Sequence, residues 1–153
     1  MASIIWEAES VEIHVVLDEG AVAPCYATEG SAGLDLCSSE SVTLNPMERK
    51  CIATGVRVAI PRGYEGQVRP RSGLALRHGL GMVNSVGTID SDYRGEIGVL
   101  LINFGTDPVQ ILAGDRIAQL VICPIAHVRV ISDGATLSET SRGEGGFGST
   151  GTR

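Results

Sequence analysis

Aromatic residues are scarce in this chain and make up only 4% of its 153 residues. Hydrophobic residues still account for 43% of the sequence, so a core must be built mainly from Val, Ile, Leu and Ala. A chain of this length corresponds to about one ordinary domain and can bury a sizeable core. The composition therefore predicts one domain with an aliphatic core.

Long apolar runs are missing as well. The chain has no run of about eighteen apolar residues, and its N-terminus lacks the basic region and apolar stretch of a secretory signal. We therefore expect no membrane partner. The four cysteines form no CxxC pair and have no zinc-ligand spacing with histidine; they are Cys25, Cys37, Cys51 and Cys123. Reduced thiols in the cytoplasm are the simplest explanation, and a nuclear location stays open for a eukaryotic or viral source.

Lysine is nearly absent, because Lys50 is the only lysine among twelve basic residues. The net charge of −6 argues against broad binding to DNA or RNA, so we expect no nucleic-acid partner. Arginine suits bidentate binding of phosphate oxygens. A GC-rich genome would produce the same bias, so the arginine content alone identifies no ligand.

Short apolar runs rich in β-branched residues alternate with Gly and Pro along most of the chain. This pattern predicts an all-β sandwich or barrel. Strands are expected at residues 11–15, 34–37, 41–44, 51–60, 64–69, 81–84, 96–103, 108–112, 116–123 and 126–131. One short helix is expected over Ser72–His78, with Ser72 as its N-cap.

Residues 87–96 (GTIDSDYRGE) form a turn-rich segment with two carboxylates, Asp90 and Asp92. Side chains two residues apart on an extended chain face the same way, so these carboxylates could share a metal. Within a hairpin, one could instead point inward as a general base while the other braces the turn. A solvated acidic turn is the alternative reading of the same residues.

Three shorter segments also carry polar residues at unusual places. In PRSGL (70–74), a serine at a helix start follows an arginine, which would make an anion pocket, although helix capping alone also explains the serine. Asp115 and Arg116 could form a turn and a salt bridge. Asp35 lies in an otherwise apolar strand, so it is expected to be structural, paired with an arginine, or near a metal.

The C-terminal segment RGEGGFGSTG (142–151) has glycine at five of its ten positions. It also carries a guanidinium, an aromatic ring and two hydroxyls, which are groups that a flap closing over a nucleoside polyphosphate needs. A disordered Gly/Ser tail is the alternative.

Taken together, these segments resemble the five motifs of trimeric deoxyuridine triphosphatases (dUTPases). The matching pieces are AGLDL (32–36), PRSGL (70–74), NSVGTIDSDYRGE (84–96), GDRIAQL (114–120) and RGEGGFGSTG (142–151). The resemblance implies a jelly-roll-like β-barrel over residues 1–141, a mobile arm over 142–153, and a homotrimer whose active sites are shared between subunits. It also implies Mg²⁺-dependent cleavage of dUTP to dUMP and pyrophosphate, which limits uracil in DNA and supplies dUMP for thymidylate synthesis.

The resemblance assigns a role to each motif residue. Asp90 would be the general base, and Asp35 would touch the water shell of the magnesium ion. The uracil would be read by Asn84, Gly87, Thr88 and Ile89, with Tyr93 packed on the deoxyribose. The phosphates would be bound by Arg71, Ser72, Gly73 and Gln119. In the arm, Arg142 would hold the γ-phosphate and Phe147 would stack on uracil, while the phosphates would be covered by Gly148, Ser149 and Thr150.

Two other functions are weighed against this one. The dCTP deaminases share the fold but carry a catalytic glutamate on the strand after the third motif, where this chain has Leu100. A dUTPase-fold nucleotide-binding regulator without turnover usually loses motif residues, and all five motifs are intact here. Hydrolysis of dUTP is therefore the expected function.

Overall fold

The computed structural model of this protein describes residues 10–134, 136–147 and 149. Over these residues the chain forms eleven strands and one short helix, so the all-β prediction is confirmed. In chain order the elements are β1 (His14–Leu17), β2 (Cys25–Tyr26), β3 (Leu34–Cys37), β4 (Val42–Leu44), β5 (Arg49–Ala59), β6 (Tyr64–Pro70), α1 (Ser72–His78), β7 (Leu80–Met82), β8 (Gly87–Ile89), β9 (Glu96–Asn103), β10 (Val109–Ile111) and β11 (Arg116–Pro124).

The strands form three antiparallel sheets. The largest has the order β2-β3-β11-β6-β8, a second has the order β1-β5-β9-β7, and β10 pairs with β4. Strand neighbours are often distant in sequence; for example, Asp35 on β3 lies opposite Gln119 on β11. The largest sheet thereby places the segments around residues 32–36, 70–74 and 114–120 side by side, with the 84–96 segment at its β8 edge.

Aliphatic side chains fill the core, as the composition predicts. Burying each such side chain contributes about 1.5–3 kcal/mol relative to leaving it in water. The completely buried members include Leu36, Leu44, Ile52, Val56, Ile97, Val99 and Leu120. Because these residues come from β3, β4, β5, β9 and β11, the core joins all three sheets and fixes the strands that carry the candidate site.

One predicted strand is wrong. Residues 126–131 form no strand, and Val128 and Val130 are 81% and 84% exposed. Alternation identifies side chains that can share a face, whereas a strand also needs a neighbour for its backbone N–H and C=O groups. Conversely, β2 and β8 were not expected, since segments of 2 and 3 residues are too short for alternation to be recognised.

Helix α1 has the predicted bounds, but its cap is a correction to the sequence-based expectation. Arg71, not Ser72, occupies the N-cap position, with extended φ and ψ of −98° and 123° and no side-chain capping hydrogen bond. Its carbonyl accepts hydrogen bonds from the N–H groups of Leu74 and Ala75, both at 3.1 Å. Ser72 is therefore the first helical residue. In the part of the chain described, no helix has the length and apolarity needed to cross a membrane.

Candidate functional site

Outside the C-terminal arm, every site residue predicted from the motifs except Gly87 lines one of two cavities, which have no lining residue in common. The first, called the hairpin cavity here, measures about 430 Å³ and contains Asn84, Thr88, Ile89, Asp90 and Tyr93. The second, called the arginine cavity, measures about 280 Å³ and contains Gly33, Asp35, Arg71, Ser72, Gly73 and Gln119. The structure thus brings the predicted residues together in two groups within one chain.

The hairpin cavity is built on β8 and the turn that follows it. Strand β8 pairs with β6, with Gly87 opposite Val68, and Gly87 is buried in this pairing. Asp90 comes directly after the strand, and its carbonyl accepts a hydrogen bond from the Tyr93 N–H at 3.1 Å. Asp90 is exposed and lines both this cavity and a neighbouring one, whereas Asp92 lines only the neighbouring one. The two carboxylates therefore have different surroundings.

Tyr93 is held against the backbone of the same turn. Its hydroxyl donates a hydrogen bond to the carbonyl oxygen of Glu96 at 3.0 Å. A Cβ atom at Gly95 would lie 2.3 Å from that hydroxyl oxygen, so the ring occupies space that only glycine leaves open at this position. Tyr93 remains 43% exposed, which leaves part of its ring available to a molecule in the hairpin cavity.

The opposite wall of the hairpin cavity comes from β5 and β9, and sequence reasoning did not assign these residues to a site. Cys51 lies across from Leu100, and Ala53 lies across from Gly98. All four line the cavity, together with Glu96. They lie at alternate positions of two paired strands. This alternation in the sequence could have predicted that they share one face of the sheet. Apart from the Glu96 carboxylate, this part of the lining carries no charged side chain.

The arginine cavity is organised around Asp35, whose side chain is only 12% exposed. Arg116 Nη1 donates to Asp35 Oδ2 at 3.0 Å, and Arg71 Nε lies 3.4 Å from Asp35 Oδ1. Arg71 Nη1 also donates to the Arg116 carbonyl at 2.8 Å. Of the alternatives expected for Asp35, pairing with arginine is the one observed. Because a guanidinium has five N–H donors, these contacts leave others for an anion.

Gln119 completes this cavity from β11. Its Nε2 donates to the Pro70 carbonyl at 3.1 Å, immediately before the segment that begins α1. A Cβ atom at Gly33 would lie 2.6 Å from Gln119 Oε1, so a glycine at position 33 makes room for this side chain. The N–H groups in the first turn of a helix have no intrahelical acceptor. Ser72 and Gly73, the first two residues of α1, line the cavity.

Cys37 lies two residues beyond Asp35 on β3 and is buried. Burial raises the pKa of the Cys37 thiol, and the neighbouring Asp35 carboxylate raises it further. The thiol is therefore protonated at neutral pH and suited to packing, not to nucleophilic attack. All four cysteines fall within the described part of the chain, and all are free thiols, as the sequence led us to expect.

Neither cavity is lined by a described residue of the C-terminal arm. Arg142 instead donates from Nε to the Gly145 carbonyl at 2.7 Å, within a local turn. Phe147 is fully exposed. The Ser149 N–H donates to the Gly146 carbonyl at 3.0 Å. Two residues predicted to cover phosphates lie outside the described residues; they are Gly148 and Thr150.

A family model described as dUTPase matches residues 19–151 of this chain. The chain is also similar to the deoxyuridine 5'-triphosphate nucleotidohydrolase of Anaeromyxobacter sp. (strain Fw109-5). The two are 60% identical over 130 residues, which cover 84% of this chain and 86% of the relative.

Two solved structures share the fold. The dUTPase of Staphylococcus bacteriophage 80alpha, solved with dUPNHPP, is 31% identical, has a TM-score of 0.86, and is matched over 93% of this chain and 99% of its own. A mutant dUTPase from phage phi11 of S. aureus, described with a structural Mg(II) ion, is 30% identical with a TM-score of 0.77, over 83% and 99% of the two chains. These likenesses confirm the expected jelly-roll-like fold.

Proposed function

Since this chain belongs to the dUTPase family, we propose that it is a dUTP diphosphatase in which Asp90 activates the attacking water. The products are dUMP and pyrophosphate, so the enzyme limits uracil in DNA and supplies dUMP for thymidylate synthesis. The observation that carries the proposal is the hairpin cavity, where Asp90 and Tyr93 share a wall with Asn84, Thr88 and Ile89.

The chemistry follows from the position of the Asp90 carboxylate. A water molecule held by this carboxylate attacks the α-phosphorus and gives its proton to Asp90 as the new P–O bond forms. The bond from the α-phosphorus to the bridging oxygen breaks, and pyrophosphate leaves. Asp90 is exposed to the cavity, where it can reach such a water.

Selection of the nucleoside follows from the hairpin. Main-chain groups of residues 87–89, together with Asn84, match the hydrogen-bonding edge of uracil and mismatch cytosine, which has a donor where uracil has an acceptor. A close fit leaves no room for the methyl group of thymine. Tyr93 packs on the deoxyribose, and a ribose 2′-hydroxyl would collide with its ring.

The triphosphate is bound by the arginine cavity and the arm. Arg71, Ser72, Gly73 and Gln119 contact the phosphates; Arg142 holds the γ-phosphate and Phe147 stacks on uracil. In the arm, Gly148, Ser149 and Thr150 close over the phosphates. The fixed guanidiniums and the helix N–H groups stabilise negative charge without reorganising.

Magnesium enters as part of the substrate, on the triphosphate oxygens, where it neutralises charge that develops during cleavage. The described residues contain no group of three His, Cys, Asp or Glu side chains placed to hold a metal ion. Asp35 already faces two guanidiniums. This donor set does not fit an ion held by the protein alone, so Asp35 contacts only the water shell of a substrate-bound ion.

A homotrimer with shared sites accounts for the two separate cavities. If each site combined the hairpin cavity of one subunit with the arginine cavity or the arm of another, the two groups would need no common wall within one chain. Residues 1–141 would form the barrel and 142–153 the closing arm. The free thiols support a reducing, cytoplasmic compartment.

A regulatory role without turnover is the second candidate. The phage 80alpha dUTPase is described among phage dUTPases that control transfer of virulence genes. Deamination is less compatible with the cavity, because Leu100 lines the wall at the position expected for a catalytic glutamate, and an aliphatic side chain transfers no proton.

Hydrolysis of dUTP, dCTP, dTTP and UTP, each with and without Mg²⁺, tests the proposal. We expect release of pyrophosphate from dUTP with Mg²⁺ far faster than in the other seven reactions. Equal rates on the four nucleotides would contradict the assigned roles of the hairpin and Tyr93. Binding of dUpNHpp without any hydrolysis of dUTP would favour the regulatory candidate.

A further inference from the structure

Glu96 joins two parts of the hairpin cavity that are distant in sequence. It is the first residue of β9, it is half-buried, and it lines the cavity. Its Oε1 accepts hydrogen bonds from the backbone N–H groups of Thr54 at 3.0 Å and Gly55 at 2.7 Å. The register between β5 and β9 shifts in this region, between Ala53 and Arg57. The carboxylate therefore satisfies two N–H groups where the regular ladder is interrupted.

The main chain of the same residue anchors Tyr93. The Glu96 carbonyl oxygen accepts the hydrogen bond from the Tyr93 hydroxyl at 3.0 Å, and the ring lies over Gly95, where a Cβ atom would clash with it. Any shift of the Glu96 backbone relative to β5 moves the acceptor on which the tyrosine depends. Glu96 thus contacts both parts: its side chain binds the irregular part of β5, and its carbonyl oxygen holds the Tyr93 hydroxyl.

A cross-strand ion pair does not account for this carboxylate. Arg57 lies opposite Glu96 in the β5–β9 register, yet its guanidinium forms an ion pair with Asp18. The Asp18 carboxylate raises the pKa of Arg57, first through this hydrogen bond. Glu96 directs its oxygen to backbone N–H groups, which hold it in one orientation more firmly than an exposed ion pair would.

We propose that Glu96 is a positioning residue that fixes the Tyr93 ring and thereby sets the preference for deoxyribonucleotides over ribonucleotides. The inference rests on the proposed function, in which Tyr93 excludes a 2′-hydroxyl. Such exclusion depends on ring position, because displacements of about 1 Å are enough to change a catalytic preference strongly. Because Tyr93 is partly exposed, its ring keeps a fixed position only if the acceptor of its hydroxyl hydrogen bond is itself held in place.

The test compares kcat and KM for dUTP and UTP in the wild-type chain and three variants. Glu96→Ala removes the anchor and should lower the dUTP-to-UTP ratio of kcat/KM roughly 10-fold, the low end of what one added group in a close-fitting pocket is worth. Glu96→Gln keeps a carbonyl oxygen for the same two N–H groups and should preserve the ratio. Glu40→Ala is the matched control, because Glu40 Oε1 accepts the N–H of Ala53 on the same strand at 3.0 Å; it should preserve the ratio too.

A Glu96→Ala variant that loses activity on both nucleotides equally would overturn the inference, since a purely structural role predicts an unchanged ratio. If that variant does not fold, Tyr93→Phe removes the anchoring hydroxyl and keeps the ring; it should show the same loss of preference, and an unchanged ratio would overturn the inference. The wild-type chain is measured first. If it does not hydrolyse dUTP, the proposed function is contradicted, and the inference that depends on it fails as well.

Discussion

Asp35 on β3 and Arg116 on the neighbouring strand β11 form an ion pair, with Arg116 Nη1 donating to Asp35 Oδ2 at 3.0 Å. The second carboxylate oxygen lies 3.4 Å from Nε of Arg71. One largely buried carboxylate thus orients two guanidiniums, of which that of Arg71 lines the arginine cavity. These ion pairs explain why Asp35 occurs in an otherwise apolar strand. They also connect three segments that are distant in the sequence, those of Asp35, Arg71 and Arg116.

Asp35→Asn keeps the shape of the side chain and removes the charge between the two guanidiniums. Hydrogen bonds to charged groups contribute about 1.5–3 kcal/mol, so we expect kcat/KM for dUTP to fall roughly 10-fold or more. Steady-state kinetics check this. Asp107→Asn, at an exposed carboxylate outside both cavities, should behave like the wild type. Unchanged kinetics in Asp35→Asn would mean that the arginines need no charged partner.

Asp90→Asn should bind nucleotide with little change and turn over dUTP roughly 10²–10⁴-fold more slowly, which is the usual contribution of a general base. Calorimetric titration with dUpNHpp and a pyrophosphate assay measure the two effects separately. Asp92→Asn is the matched control, because Asp92 is two residues away and does not line the hairpin cavity. Equal losses in the two variants would show that the acidic turn as a whole, and not Asp90, matters for turnover.

Local patterns in the sequence predicted the elements that depend on local interactions. The bounds of α1 and of the strands at 34–37 and 96–103 agree with the structure. Residues 126–131 alternate as well, yet no partner strand pairs with them in the described chain. The N-cap differs because Arg71 is extended and is tied to Asp35 and Arg116, contacts that local propensity does not contain.

The sequence predicted several residues that line the two cavities, but not how those residues are arranged. The motifs identified Asp90, Tyr93 and Asp35, but no spacing in the sequence divides them between two cavities. The residues of β5 and β9 that line the hairpin cavity were not predicted, because their position side by side depends on the register between the two strands. Glu96 contacts the N–H groups of residues 54 and 55, about forty positions away, and only the folded chain brings them together.

The arm can be tested by mixing subunits. Removing residues 142–153 should leave the barrel folded and nearly abolish hydrolysis, because the proposed γ-phosphate and uracil contacts are lost. If each site takes its hairpin from one subunit and its arm from another, mixed trimers of Asp90→Asn chains and truncated chains should regain activity. Random mixing in equal amounts gives about one complete site in four.

Two controls make the mixing result decisive. Each parent is taken alone through the same unfolding and reassembly, and mixed trimers are verified by native mass spectrometry before the assay. Absence of recovery in verified mixed trimers would show that each arm serves its own subunit. Full activity of the truncated chain would identify the arm as a simple Gly/Ser tail.

Thiol reactivity can locate the nucleotide without changing the chain. Cys25 and Cys51 are both exposed, and Cys51 lines the hairpin cavity. Iodoacetamide reacts with thiolate, and burial followed by the Asp35 carboxylate raises the pKa of Cys37. At pH 7.5, peptide mass spectrometry should therefore find Cys25 and Cys51 alkylated before Cys37. The label on Cys37 should increase only as the pH rises toward its elevated pKa.

Bound dUpNHpp with Mg²⁺ should slow alkylation of Cys51, because the analogue fills the cavity against the β5–β9 wall. It should slow alkylation of Cys25 less, because Cys25 lies opposite Asp35 but lines neither cavity. The comparison is internal, since both thiols are measured in one sample and share the same reagent and pH. Protection that is equal at Cys25 and Cys51 would indicate a general tightening of the protein. No protection at Cys51, at analogue concentrations that saturate binding, would place the nucleoside away from this wall and contradict the assignment of the hairpin cavity.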